Sequence, residues 1–270
     1  MDKNVKNMLL MDKTFYIILN NYYNFYSSIE ERETAMKLVL KDIRKAFDKK
    51  EVLKGANYVF EKGRIYGLLG RNGAGKTTLF NCINEDIKMD DGEILLDDLG
   101  EERPLAAEDI GYVLSTPLVP DFLTGREFLK FFLDINKDRI ANMKSIDEYF
   151  EFMMIDQEDR DKLLKDYSHG MKNKMQMLIS FIANPLVFLL DEPLTSFDVV
   201  VAEEIKALLR ELKEEHIVIL STHIMELALD MCDDIVILNG GTLKKIERDE
   251  LEEDAFKARI IQSLKEEEYA

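Results

Sequence analysis

The sequence has few cysteines, too few basic residues to balance its acidic ones, and no long apolar run. Only Cys82 and Cys232 occur in the 270 residues, and they are not spaced as a metal-binding pair, which favours a reducing, cytosolic compartment. The formal net charge of −17 argues against a nucleic-acid partner, because contact with phosphates needs a basic face. No apolar run approaches the ~20 residues that cross a bilayer. Any role at a membrane therefore requires a separate partner.

The first 35 residues differ in composition from the rest of the chain. They are rich in Asn and Tyr and contain neither Gly nor Pro. The apolar run Phe15–Leu19 is too short for a membrane helix and lacks a small-residue cleavage site, which argues against a signal peptide. We expect Met36 to be the natural start and residues 1–35 to be a translated leader, because a strand pattern begins abruptly at Met36 and Glu30–Glu33 could correspond to a purine-rich ribosome-binding site. The alternative is an amphipathic arm that contacts a membrane partner.

A glycine-rich loop lies between a predicted strand and a predicted helix. It consists of Gly70, Arg71, Asn72, Gly73, Ala74, Gly75, Lys76, Thr77 and Thr78. This order matches the G-x-x-x-x-G-K-[ST] phosphate-loop pattern at each defined position. The glycines let backbone N–H groups turn inward at the positive end of the following helix, which forms an anion site. Lys76 would reach the β- and γ-phosphates and the Thr77 hydroxyl would bind Mg²⁺, so the sequence predicts a nucleoside triphosphate site.

Two further predicted strands end in polar residues. The apolar run Val187–Leu190 reads as a strand buried on both faces, and Asp191 and Glu192 follow it. Ligands of parallel sheets bind at the carboxyl ends of the strands. Asp191 therefore fits a carboxylate that holds Mg²⁺, directly or through water, and Glu192 fits the general base for the attacking water. His223 follows the apolar run Ile217–Leu220 and could contact a γ-phosphate oxygen, although a histidine in such a position is more often structural.

These patterns predict an α/β fold with a P-loop NTPase core, a mixed sheet and two additional parts. Residues 38–60 indicate an antiparallel β edge subdomain. A T-x-x-E capping box at Thr124–Glu127 begins a helical pattern that continues to about Leu164, which predicts an inserted α-helical subdomain at about 122–166. The charge-dense residues 246–270 are predicted to form one or two surface helices.

Phe47 is an aromatic residue in the predicted edge strands, shortly before the phosphate loop. Its ring could stack on the adenine of a nucleotide. The spacing equally allows an ordinary core residue of a strand.

With the segment Tyr167–Met171, these motifs resemble the ATP-binding-cassette (ABC) family over residues 36–245. That family carries an L-S-G-G-Q signature in this place, and the match here is Ser168 and Gly170. The set of motifs is far more specific than the phosphate loop alone.

The resemblance assigns further residues and partners. It implies that Asp198 lies in a D-loop, that His223 is the switch histidine and that Phe47 stacks on adenine. It also implies a head-to-tail dimer with a second ABC ATPase subunit, in which the phosphate loop of one subunit and the Ser168–Gly170 segment of the other hold each ATP with Mg²⁺. The helical subdomain would grip a polytopic membrane permease, which places the chain on the inner face of the cell membrane. The residues after Gly170 are more similar to those of exporters than of nutrient importers.

The sequence departs from the family pattern at two positions. Ser115 stands where family members usually carry a glutamine that contacts Mg²⁺ and water, and Ser115 or Thr116 could bind the metal only through water. His169 replaces a signature glycine and places a ring where close backbone approach is expected. We expect hydrolysis to persist with altered coupling or rate. The alternatives are a weakly or non-hydrolysing ATP-binding subunit of a heteromeric ABC complex, and a soluble ABC ATPase that serves no transporter.

Overall fold

The computed structural model describes residues 36–140, 142–246 and 253–265. The predictions for residues 1–35 lie outside this range. The described strands are β1 (Lys37–Phe47), β2 (Lys50–Glu61), β3 (Ile65–Leu69), β4 (Asp91–Asp98), β5 (Glu101–Pro104), β6 (Ile110–Val113), β7 (Val187–Asp191), β8 (Ile217–Thr222), β9 (Asp234–Asn239) and β10 (Thr242–Ile246). The described α-helices are α1 (Lys76–Ile83), α2 (Gly125–Asn136), α3 (Ile146–Phe152), α4 (His169–Ala183), α5 (Val199–Leu212), α6 (Met225–Met231) and α7 (Glu253–Lys265).

These elements form two compact units, one of which comprises Val119–Ile179. The other unit contains Met36–Leu118 and the described residues from Ser180 onward, and it holds both sheets. Helix α4 crosses the boundary between the two units.

The larger sheet has six strands in the order β10-β9-β3-β8-β7-β6. All its pairings are parallel except that of β9 with β10. Strands β3, β7 and β8 are buried along their full length, which explains their continuous apolar sequences. In the register, Leu69 lies beside Thr222 and Asp191 lies beside Ser221. The carboxyl ends of three central strands therefore meet at one edge of the sheet.

The smaller sheet is antiparallel, with the order β2-β1-β4-β5. It confirms the predicted antiparallel edge, and the turn between β1 and β2 includes Asp48 in a left-handed conformation (φ 53°). Strand β5 has no sequence signal, because each of its four residues is exposed and three are charged. Backbone pairing with β4 places it in the sheet, and an ion pair joins its Glu102 to Lys41 of β1.

One apolar core lies between the two sheets. Inward-facing residues of β1, such as Leu38 and Leu40, share it with Phe80 of α1 and with Leu189 of β7 and Ile219 of β8. Burial of each such side chain contributes about 1.5–3 kcal/mol. The phosphate-loop helix and the two strands that end in polar residues are thus fixed to the same core.

The unit Val119–Ile179 contains α2 and α3, each opened by a capping box. Thr124 and Glu127 form the first box, as predicted, and Ser145 and Glu148 form the second. Within the second half of the unit, however, the predicted continuous helical pattern is wrong.

Helix α3 ends at Phe152, and residues 153–163 form turns. Met154 has a positive φ of 51°, which ends the helix, and the chain then donates and accepts backbone hydrogen bonds with the start of α2. Arg126 N donates to Arg160 O (2.8 Å) and Leu164 N donates to Leu123 O (2.8 Å). Around residues 153–163, these hydrogen bonds to the start of α2 take the place of the bonds that a continued helix would make.

The tail contains helix α7, one face of which is buried. Phe256 and Ile260 are buried, with 2% and 0% of their surface exposed. They belong to an apolar cluster with Ile235 and Ile237 of β9. None of the helices in residues 36–140, 142–246 and 253–265 has the length and apolar character that crossing a membrane requires.

Candidate functional site

The phosphate loop follows β3 and closes at the start of α1. Gly73 and Gly75 have positive φ angles of 83° and 106°, which is the left-handed region that glycine adopts without strain. A Cβ on Gly75 would lie 2.7 Å from Val52 Cγ1, and one on Gly70 would lie 2.9 Å from Leu238 O. The loop is therefore packed too closely for side chains at these positions, and its backbone is free to face a ligand.

Lys76 is the first residue of α1 and is 8% exposed. Its ammonium donates to Gly70 O at 2.7 Å and to Arg71 O at 3.3 Å. Burial lowers the pKa of Lys76, and the carboxylates of Glu192 and Asp191 act in the opposite direction. The ammonium thus lies inside the concave loop, where it can neutralise an anion.

Thr77, Asp191 and Ser221 form a chain of hydrogen bonds across three elements. Thr77 Oγ1 donates to Asp191 Oδ2 at 3.0 Å, and Ser221 Oγ donates to Asp191 Oδ1. Asp191 is 3% exposed and Ser221 is fully buried. The sequence analysis missed Ser221, whose only signal is its position at the end of a strand that can pair with β7.

Glu192 and His223 lie next to this chain. His223 Nδ1 lies 2.7 Å from Glu192 Oε1, and the ring donates because a carboxylate only accepts. The second oxygen, Glu192 Oε2, is buried and has no hydrogen-bond partner among the described residues. The backbone of Glu192 is left-handed (φ 51°). Such conformations are costly outside glycine and cluster at functional sites.

Three other predicted site residues belong to the same unit. Phe47 is 45% exposed, so the alternative of a core residue is wrong, and Lys45 Nζ lies 5.4 Å from its ring centroid. Asp198 caps α5 by accepting from Val200 N and Val201 N at 3.0 and 3.1 Å. Ser115 follows the end of β6 and is partly exposed.

The signature residues belong to the unit Val119–Ile179. Ser168 precedes α4, and its Oγ accepts a hydrogen bond from Met171 N at 3.2 Å. Ser168 and His169 are exposed, and Gly170 lies in the first turn of the helix. The start of α4 therefore carries an exposed serine hydroxyl and an exposed imidazole ring, both at the positive end of the helix dipole.

An open pocket of about 310 Å³ lies beside the phosphate loop. Residues 71–74 of the loop, residues of β2 and the turn Gly240–Gly241 line it. Lys50, Lys54 and Arg71 are among the lining residues, so its walls carry positive charge.

A family model described as "ABC transporter" matches residues 53–195. The chain belongs to this family. It is 33% identical over 232 residues to the uncharacterized ABC transporter ATP-binding protein MJ1023 of Methanocaldococcus jannaschii, with 84% of this chain and 83% of that protein covered. It is 31% identical over 225 residues to the ABC transporter ATP-binding protein YtrB of Bacillus subtilis, with 82% and 75% covered.

Solved structures of the ABC family share the fold. The dimeric post-hydrolysis state of the ATP-binding cassette MJ0796, bound to ADP and Pi, superposes with a TM-score of 0.66 at 21% identity and covers 78% of this chain and 99% of that one. At this identity the likeness shows the fold alone. The chain is thus an ABC transporter ATP-binding domain with a P-loop core, an antiparallel sheet and additional helices.

The donor set of this ABC domain fits a magnesium ion. Thr77 and Asp191 supply a hydroxyl and a carboxylate, which are the hard oxygen ligands that Mg²⁺ prefers. The described residues contain no cluster of three or more His, Cys, Asp or Glu that could hold a metal.

Proposed function

We propose that the chain is the ATP-hydrolysing subunit of an ABC transporter and drives a separate membrane permease, most simply an exporter. The observation that carries the proposal is the grouping of Lys76, Thr77, Asp191, Glu192 and His223 at one edge of the parallel sheet. Each of these side chains has a distinct task in phosphoryl transfer to water.

ATP binds first at the phosphate loop. The backbone N–H groups at the start of α1 and the ammonium of Lys76 hold the β- and γ-phosphates. Thr77 and Asp191 would hold Mg²⁺, and the ion would neutralise charge on the phosphate oxygens. The exposed ring of Phe47 offers a face for adenine.

Glu192 acts as the general base. Its unpartnered Oε2 accepts a proton from the attacking water, while Oε1 is held by His223. His223 is half-exposed, with 49% of its side chain accessible, so its other ring nitrogen can contact the γ-phosphate. The pair thus orients the nucleophile and stabilises the charge that develops on the transferred group.

Two such subunits complete the site. Ser168 and Gly170, at the positive end of α4, contact the γ-phosphate that the second subunit holds. Closure of this dimer around ATP and its release after hydrolysis would move a polytopic permease at the inner face of the membrane. The family relation supports this arrangement, and the similarity of the residues after Gly170 to those of exporters supports export over import.

A second candidate function is an ATP-binding subunit that hydrolyses weakly and pairs with an active homologue. The observation that favours it is Ser115, whose short hydroxyl replaces the longer amide expected at the end of β6. Absence of hydrolysis in a dimer that still binds ATP would select this candidate.

Steady-state phosphate release tests the proposal. The wild-type chain should hydrolyse ATP in the presence of Mg²⁺, and Lys76→Met should lower the rate at least about 100-fold, because the ammonium acts on the phosphates. Lys88→Met, which removes an exposed lysine outside the site, should leave the rate within about twofold. A wild-type chain without turnover, or a Lys76→Met variant with the wild-type rate, would contradict the proposal. Co-purification of a polytopic membrane protein with the tagged chain from native membranes tests the partner.

A further inference from the structure

Ser221 contacts both acidic residues of the candidate site. Its hydroxyl donates to Asp191 Oδ1, and the same Oγ lies 3.3 Å from Glu192 N, from which it accepts. No solvent reaches the Ser221 side chain. A hydroxyl can donate once and still accept, so Ser221 satisfies the two neighbours at the same time.

The contact between Ser221 and Asp191 helps to fix the orientation of the Asp191 carboxylate. Thr77 holds Oδ2 from the phosphate-loop helix and Ser221 holds Oδ1 from β8. Asp191 lies directly beside Ser221 in the parallel register of β7 and β8. The serine therefore reaches the carboxylate from a neighbouring strand that is itself fixed by the core.

The contact with Glu192 fixes an unusual backbone. Glu192 has a φ of 51°, and its N–H donates to Ser221 through both the backbone O (3.2 Å) and Oγ (3.3 Å). On the other side, Thr195 Oγ1 donates to Glu192 O at 3.0 Å. Conformations of this kind persist only where the surroundings hold them, and Ser221 supplies one side of that support.

We propose that Ser221 is a positioning residue for ATP hydrolysis: its hydroxyl joins the magnesium carboxylate Asp191 to the backbone of the general base Glu192. The role rests on the proposed function. Ser221 does not touch the substrate and acts through its two neighbours. Without the hydroxyl, Asp191 Oδ1 loses its donor, and the peptide of Glu192 loses a restraint, so the base no longer keeps one placement relative to the metal ligand.

The alternative is a buried serine that only satisfies polar groups and supports the fold. A structural role would lower stability without changing the chemical step in the folded protein. The two roles differ in how the effect of Ser221 depends on Glu192, which a double-mutant cycle measures.

The experiment compares Ser221→Ala with the control Ser263→Ala, which removes another buried serine hydroxyl, on α7. Single-turnover ATP hydrolysis and ATP affinity are measured for both. Ser221→Ala should lower the hydrolysis rate at least about tenfold, as expected for loss of a hydrogen bond to a charged group, with ATP affinity within about threefold. Ser263→Ala should change neither. Ser221→Cys keeps nearly the volume of serine with a weak donor, so it should show the same loss if the alanine variant does not fold.

The cycle is completed in the Glu192→Gln background. There the loss caused by Ser221→Ala should be smaller than in the wild-type background, because the base that it positions is gone and only its contact with Asp191 remains. An equal loss in both backgrounds, or a wild-type rate in folded Ser221→Ala or Ser221→Cys, would overturn the role of Ser221 while leaving the proposed function intact. A wild-type chain that does not hydrolyse ATP would overturn the proposed function and this role together.

Discussion

Thr77 Oγ1 donates a hydrogen bond to Asp191 Oδ2 at 3.0 Å, although the two residues are 114 positions apart in the chain. Thr77 lies in the first turn of the helix after the phosphate loop, and Asp191 ends a buried strand. Their meeting brings together the two side chains that the sequence predicts as magnesium ligands. The folded chain therefore places a hydroxyl and a carboxylate beside the buried ammonium of Lys76, and this pairing underlies the first prediction.

Loss of the Asp191 carboxylate charge should raise the Mg²⁺ concentration that hydrolysis needs. Asp191→Asn keeps the shape but removes the anion, so we expect the Mg²⁺ concentration for half-maximal hydrolysis to rise at least about tenfold. Phosphate release is measured against Mg²⁺ at fixed ATP. Asp134→Asn is the control, because Asp134 is an exposed carboxylate on α2 that belongs to no predicted site. An unchanged magnesium dependence in Asp191→Asn would remove Asp191 from the metal site.

Ser168 should control ATP-dependent dimerisation. In the Glu192→Gln background ATP is retained, so we expect the chain to change from monomer to dimer when ATP and Mg²⁺ are added, as measured by light scattering. Adding Ser168→Arg should prevent the change, because a bulky side chain would occupy the helix start that faces the partner's phosphate. Lys172→Arg is the control. It changes a side chain in the helix at whose start the signature residues lie but keeps the positive charge that pairs with Asp121. ATP-induced dimerisation of the Ser168→Arg variant would contradict the sandwich arrangement.

His216 should make the fold less stable in acid. It is 3% exposed and its Nδ1 lies 2.7 Å from Pro185 O, and burial lowers its pKa to about 4. The unfolded chain has the ordinary pKa near 6.5 and binds more protons between these values. The contribution of His216 to the free energy of unfolding is therefore greatest above pH ~6.5. It falls as the pH drops towards 4, by up to about 3 kcal/mol. Urea unfolding at pH 7 and pH 5 measures it, and His216→Gln should flatten the slope. An identical slope in that variant would exclude His216 as the source.

Gly125 and Tyr167 form a close contact within the unit Val119–Ile179. A Cβ on Gly125 would overlap the Tyr167 hydroxyl, which donates to Asp159 O at 2.8 Å. Alanine normally favours a helix over glycine by up to about 1 kcal/mol, yet here Gly125→Ala should destabilise by about 1–3 kcal/mol. Tyr167→Phe removes the clashing oxygen, so the double variant should be more stable than the sum of the single effects predicts. Additive effects in urea unfolding would contradict the contact.

The sequence predicts those elements whose residues carry a local signal. The phosphate loop, the strand before Asp191 and the capping box at Thr124 each carry a local signal, and the structure has the predicted elements there. Strand β5 could not be predicted, because it lacks apolar alternation and pairs through its backbone with β4. The turns of residues 153–163 could not be predicted, because the carbonyls of Arg160 and Lys162 accept hydrogen bonds from Arg126 N and Gly125 N, which are distant in the chain.

Ser221 shows the same limit within the candidate site. Its contact with Asp191 depends on the register of β7 and β8, and sequence periodicity does not give the register between strands that are distant in the chain. Glu192 illustrates the converse: its position after a strand indicated a base, but its left-handed backbone could only be seen in the fold.

The most direct measurement is the single-turnover hydrolysis rate of Glu192→Gln. The substitution keeps the size of the side chain and removes its basicity, so ATP should bind within about threefold of the wild-type affinity while hydrolysis slows by about 10²–10⁴-fold. That result would establish Glu192 as the base of an ATPase built around Lys76, Thr77 and Asp191. Equal rates in the variant and the wild-type chain would contradict the account.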